Sequence, residues 1–166
     1  MSQITRIQNE HRRTCFNSFL EHKLKHRNTR LAFHGTTHKA RERIAMESFS
    51  EKYMQRFKFG KGVNSTNAVA LAIIYSEETR EDRSIHFHVF VCELAKGESA
   101  TGAEQQDNFG FTADGQEIFN LTAPPHIGPI DVCKYPEQLY PKYDVRLSLD
   151  IDENMTPNQV CDVCMM

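Results

Sequence analysis

An α+β domain is what this sequence predicts, and three features of its pattern predict it. Apolar residues near helical spacing occupy much of the first half, most clearly Phe16, Phe19, Leu20 and Leu24. The second half changes to a period of two, as in "SIHFHVFVCEL". The elements also run helix, strand, helix, helix, then several strands, a segregated order rather than a repeating βα one. A length of 166 residues suits one domain with its own core.

Residues 4–25 place Ile4, Ile7, Phe16, Phe19, Leu20 and Leu24 between charges, which predicts one amphipathic helix. "RLAFHG" predicts a short strand ending in His34 and Gly35. Thr36 or Thr37 caps a helix over about 37–47 that buries Ala40 and Ile44. "SEKYMQRFKFGKG" predicts a loop closing on Gly60 and Gly62. In "NSTNAVALAIIYS", Ser65 or Thr66 caps an apolar helix over about 67–76, and "EETRED" predicts a solvated turn. Along "SIHFHVFVCEL", Ile85, Phe87, Val89 and Val91 share one face and His86, His88, Phe90 and Cys92 the other. Residues 95–117 predict a long loop with a hairpin near "TADGQEIFNL". "GPIDVCKY" and "YPKYDVRLSLDI" predict two further strands joined by "PEQL", and the tail from Asp152 is polar.

Composition narrows the function classes. Hydrophobic content of 39% and charged content of 25% are those of an ordinary globular protein. A net charge of −2 gives no drive toward nucleic acid or an anionic membrane surface. The basic residues of 11–30 are interrupted by Glu21, as on a solvated helix face. No apolar run reaches a membrane span, and no secretory leader pattern opens the chain. Five scattered cysteines predict a reducing, intracellular setting, cytoplasmic or nuclear. Cys161 and Cys164 form only half of a zinc or redox motif, and His86 with His88 lacks further ligands, so no metal site is expected.

The chemistry concentrates at His34-Gly35 and in "FGKGVNSTNAVALAIIYS". A glycine beside an imidazole lets a ligand lie against backbone, whose N–H and C=O can pair with a carboxamide. The same dipeptide also suits a plain strand-end turn. Tyr75 shares a helix face with Leu71 and Ala72, as a core residue or as a platform for a flat ring.

Taken together, "LAFHGT", "FGKGV…A…A…YS", "SIHFHVFVCEL…KG" and "YPKYDVRLSL" resemble, in order and spacing, the catalytic domain of the poly(ADP-ribose) polymerase family. "RIQN" at residues 6–9 extends the likeness, so it covers about residues 4–150. The resemblance implies an ADP-ribosyltransferase fold: split antiparallel β-sheets, an N-terminal helix, two short helices and NAD+ in a cleft. It implies a domain over 1–150 and a polar tail over 151–166. It also implies that His34 holds the adenosine ribose, that the Gly35 backbone pairs with the nicotinamide carboxamide, and that Tyr75 stacks on nicotinamide. Thr36, Gly62 and Ala72 complete the implied cofactor-binding set.

Three positions depart from the family pattern. Asn64 stands where a second stacking tyrosine is usual, Ala72 where a serine is usual, and Ile130 where the polymerases carry glutamate. The implied catalytic trio is therefore His34, Asn64 and Ile130. Cleaving the glycosidic bond of NAD+ builds positive charge on the ribose, and a carboxylate there stabilises it. Ile130 cannot, so chain elongation is not expected. The serine and the ring, once lost, each remove about 0.5–1.5 kcal/mol of binding. Glu137 in "PEQLYPK" could be drafted as a substitute carboxylate, though a turn glutamate in water is its ordinary reading. The expected function is transfer of one ADP-ribose from NAD+ to a protein or nucleic acid acceptor. A non-catalytic binding module of the same fold is the alternative, and an NAD+ glycohydrolase a more distant one.

Overall fold

The computed structural model describes residues 3–54, 56–57, 60–81, 84–102 and 108–150. The chain opens with β1 (Gln3–Arg6), and α1 (Glu10–His22) follows. The single expected helix over 4–25 is thus a strand and a helix. Asn9 divides them: its side-chain oxygen accepts from the Arg12 N–H at 3.0 Å and caps α1. Phe16 and Phe19 then bury against Phe119 and Tyr140, while Ile4 remains exposed on β1.

The expected strand is β2 (Thr29–Gly35), and the next helix is α2 (His38–Glu47), capped by Thr37. No residue of α2 is fully buried; Ile44 packs half-buried against a core that includes Phe49. Between α2 and the next helix, the expected loop holds a 3-10 turn (Glu51–Tyr53) and a small hairpin of β3 (Arg56–Phe57) and β4 (Gly60–Lys61). The segment expected to cap that helix is a strand instead, β5 (Val63–Thr66), and α3 spans only Val69–Ile74. Thr66 still serves the turn, its hydroxyl accepting from the Ala68 N–H at 3.1 Å. The expected solvated turn carries β6 (Thr79–Glu81), which folds back on β7 (Ser84–Ala95).

The long loop contains β8 (Ser99–Thr101) and a Phe111–Glu117 bridge around the expected turn. After it come β9 (Asn120–Thr122), β10 (Ile130–Cys133) and β11 (Leu139–Asp150). Residues 151–166, with Cys161 and Cys164, lie outside the described residues.

The strands form two four-stranded halves, β1-β11-β7-β2 and β5-β10-β9-β8, with β6 on the margin of β7. One register pair, Phe33 with Thr66, joins the halves, so the sheet is split at β2 and β5. Every pairing is antiparallel except β8 with β9, which is parallel. β7 lies between β11 and β2 and is buried on both faces, which is why its polar positions His86 and His88 are inside. His86 meets the Ser148 hydroxyl at 2.9 Å and His88 meets Asp144 at 3.4 Å. Asp144 also takes the Arg41 guanidinium at 2.6 Å, which ties α2 to β11. Across the split, Arg30 of β2 pairs with Asp131 of β10, and Lys96 lies 3.5 Å from the same carboxylate.

Candidate active site

The split between the two half-sheets opens a cavity of about 780 Å³. That is within the usual span of ligand sites. His34, Gly35, Thr36, Gly62, Asn64, Ala72, Tyr75 and Ile130 all line it, so every site residue expected from sequence comes to one place. Glu137 does not; it sits beside Arg12 and Tyr140 in a separate small recess.

His34 is the last side chain of β2 before the chain turns into α2. Its Nδ1–H donates to the Asn64 carbonyl oxygen at 2.7 Å, across the split. The Phe49 ring meets the imidazole edge-on at 4.9 Å between centroids. Desolvation holds the His34 pKa below its ordinary value, against the opposing pull of the Asn64 carbonyl. The ring is therefore neutral at pH 7, with Nε2 as its remaining acceptor.

Gly35 is glycine for a reason the sequence did not reveal. An added Cβ would lie 1.8 Å from the Ala72 carbonyl oxygen and 2.9 Å from the Ser76 nitrogen. The missing side chain makes room for α3. Gly62 is similar, since a Cβ there would come within 2.3 Å of the Cys133 carbonyl oxygen. Close packing of α3 against β2 carries Ala72, 1% exposed, and Tyr75 to the cavity wall. Tyr75 closes α3, and its residue is 61% exposed, so a face is open for stacking.

On the far half-sheet, Ile130 is buried and packs in the cluster of Phe109, Leu121 and Val132. It pairs in register with Thr66, two residues from Asn64. The Asn64 amide oxygen is buried, and no group among the described residues bonds to it. A buried acceptor left in that state costs about 1–3 kcal/mol.

Sequence reasoning missed the third wall. Lys39 and Arg43 of α2 and Lys52 of the following turn all line the cavity. Among the described lining residues these are the cations, and none is Asp or Glu. The spacing of Lys39 and Arg43 by one helical turn was the available signal. Ser48, also lining, ends α2 with φ 61° and ψ −172°, a region occupied almost only by glycine. The pocket thus brings together a neutral imidazole, an exposed phenol ring and three cationic side chains.

Comparison with known proteins follows that geometry. The profile of the poly(ADP-ribose) polymerase catalytic domain matches residues 1–118. Among solved structures, the PARP domain of Arabidopsis RADICAL-INDUCED CELL DEATH1 superposes with a TM-score of 0.68. It is 17% identical, over 91% of this chain and 87% of that one, a likeness of fold. No curated protein sequence matches the chain.

Proposed function

The chain belongs to the poly(ADP-ribose) polymerase catalytic domain family, and on that premise we propose that it is an NAD+-dependent mono-ADP-ribosyltransferase. The domain is taken as residues 1–150, with 151–166 as a tail. One observation carries the reading: an open cavity gathers His34, Tyr75 and the cations Lys39, Arg43 and Lys52, with no carboxylate among its described lining residues and with Ile130 buried in its wall.

In this reading, NAD+ supplies an activated ribose whose leaving group is nicotinamide. His34 Nε2 accepts a hydroxyl of the adenosine ribose, and the Asn64 carbonyl keeps the ring turned for it. Tyr75 stacks on the nicotinamide ring. Lys39, Arg43 and Lys52 face the diphosphate. In the transfer, the C1′–nitrogen bond breaks and its electron pair leaves with nicotinamide. The acceptor's nucleophilic atom bonds to C1′, and the acceptor's proton goes to solvent. Without a carboxylate, the site cannot orient a ribose hydroxyl of a previous product as the next nucleophile. One unit per acceptor is the outcome, on a protein or nucleic acid.

Incubation with labelled NAD+ is the test. Self-modification or transfer to lysate proteins, as single units, is expected from the wild-type chain and absent from His34→Ala. Equal labelling of the two would refute the reading. Nicotinamide release without a labelled product would mark a glycohydrolase. A chain that is neither labelled nor stabilised by NAD+ would be a binding module, a reading favoured by the three substituted positions Asn64, Ala72 and Ile130.

A further inference from the structure

We infer that α2 is an acid-released wall of the cavity. Arg41 latches it to Asp144 on β11, and the buried His88 imidazole, which shares that carboxylate, opens the latch on taking up a proton. The inference goes beyond the function just proposed and does not depend on it.

Packing anchors α2 only weakly. None of its ten residues is fully buried, and Ile44 and Ala45 meet the core partly buried. Three polar contacts add to the hold. The Asn9 side-chain amide donates to the Met46 carbonyl at 2.7 Å, and the His38 N–H donates to a Glu77 carboxylate oxygen at 2.7 Å. Both of these are exposed, and the second places a negative charge at the helix N-terminus. The third is the latch: Arg41 Nε donates to Asp144 Oδ2 at 2.6 Å, and Asp144 is buried. At the other end, the cap residue Ser48 has φ 61° and ψ −172°, so the backbone leaving α2 is strained. An element with little apolar burial and exposed hydrogen bonds opens at the low end of local stability.

His88 stands beside the latch. Its Nδ1 lies 3.4 Å from Asp144 Oδ1, the oxygen that Arg41 Nε does not use. From β11, Asp144 and Arg146 face it, Arg146 being its register partner. From α2 come Arg41 and His38, one helical turn apart, the His38 ring 6.1 Å from that of His88. On β7 itself, His86 meets the Ser148 hydroxyl at 2.9 Å. Burial and then Arg41 hold the His88 pKa below its ordinary value, the charge of His38 adds to them, and Asp144 opposes. Outward movement of α2 carries Arg41 and His38 away and admits water to the ring. The two leading causes of the depression are then gone. A proton therefore binds the released state more tightly than the docked one, and by linkage it drives release. The effect sets in near the ordinary histidine value of about 6.5 and grows by at most about tenfold per pH unit. Because Lys39 and Arg43 line the cavity from α2, release removes them from its wall.

Hydrogen exchange on the full chain without ligand is the test. The Arg41 and Ser48 amides, bonded to the Thr37 and Ile44 carbonyls, report the two ends of α2, and the Phe90 and Cys92 amides report β7. Between about pH 7.5 and 5, the α2 protection factors are expected to fall about tenfold or more while those of β7 hold. His88→Gln keeps a neutral donor toward Asp144 and should abolish the fall. Arg41→Gln should lower α2 protection at every pH and return the titration of the His88 imidazole resonance toward its ordinary value. A flat wild-type profile, an equal fall in wild type and His88→Gln, or a loss shared by β7 overturns the inference. If His88→Gln does not fold, the Arg41→Gln titration decides, and a His88 midpoint unchanged from wild type overturns it. NAD+ is absent throughout, so either result leaves the proposed function standing or falling on its own test.

Discussion

Replacing Gly35 with alanine distinguishes packing from ligand contact as the reason for that glycine. The new Cβ would sit 1.8 Å from the Ala72 carbonyl oxygen, against 3.4–4 Å for ordinary contact. The obstacle is backbone on both sides, Ala72 on α3 and Ser76 just after it, so no side chain can rotate away. Either α3 moves outward by more than an ångström or β2 distorts. Overpacking of that kind costs about 1–3 kcal/mol, and backbone clash places this case at the upper end. For a domain of this size, about 3 kcal/mol lowers Tm by roughly 6–12 °C. Thermal unfolding followed by circular dichroism, without added ligand, measures it. Because α3 carries Tyr75 and Ala72, NAD+ binding should weaken as well. An unchanged Tm accompanied by lost binding would refute the packing argument and return Gly35 to a purely ligand-facing role.

Other outcomes follow from the same geometry. Ser48→Gly should raise Tm by about 2–4 °C, since relief of a strained φ is worth about 1–3 kcal/mol and the added chain entropy about 0.5–1; a fall in Tm would show that the Ser48 side chain is needed where it stands. Asp131→Ala should cost about 3 kcal/mol in urea unfolding, because it strands Arg30 and Lys96 at the split between half-sheets. Stability should decline as pH falls below about 6.5, because His34 and His88 have folded pKa values below those of the unfolded chain. Burial lowers both, and Arg41 adds to the effect at His88. Protons then bind the unfolded chain preferentially, and stability is lost on acidification from the unfolded pKa downward. A Tm series from pH 7.5 to 5 measures the slope, and His34→Gln should reduce it.

Some of the fold was legible because its signal is local. β7 announces itself by strict alternation, and α2 by Thr37 and its apolar positions. What was missed depends on distant partners. β1 is four exposed residues that exist as a strand only because residues 143–146 lie beside them. β5 reads "VNST", with small polar residues that look like a helix cap until β10 is known to pair with it. β6 was hidden for the same reason, its charged residues being ordered by the margin of β7. Which residues would meet at the cavity was legible as well, since His34, Gly35 and Tyr75 stand at set spacings in short motifs. The cationic wall of α2 left a fainter trace: lysine and arginine at helical spacing describe most solvated helices equally well.

The aliphatic end of the cavity is not an isolated exchange of one side chain. Ile130 is 7% exposed and belongs to a cluster with Phe109, Ile118, Leu121 and Val132, and Leu71 and Ile127 pack against the same group. A carboxylate placed there would give up water on the cluster side and meet no cation among those residues, a burial that proteins avoid or offset by protonation. The charges of the cavity lie instead on α2 and the turn after it. The surroundings of residue 130 are thus built for an aliphatic group, and a polymerase-like carboxylate could not be restored there by one substitution without loosening that packing.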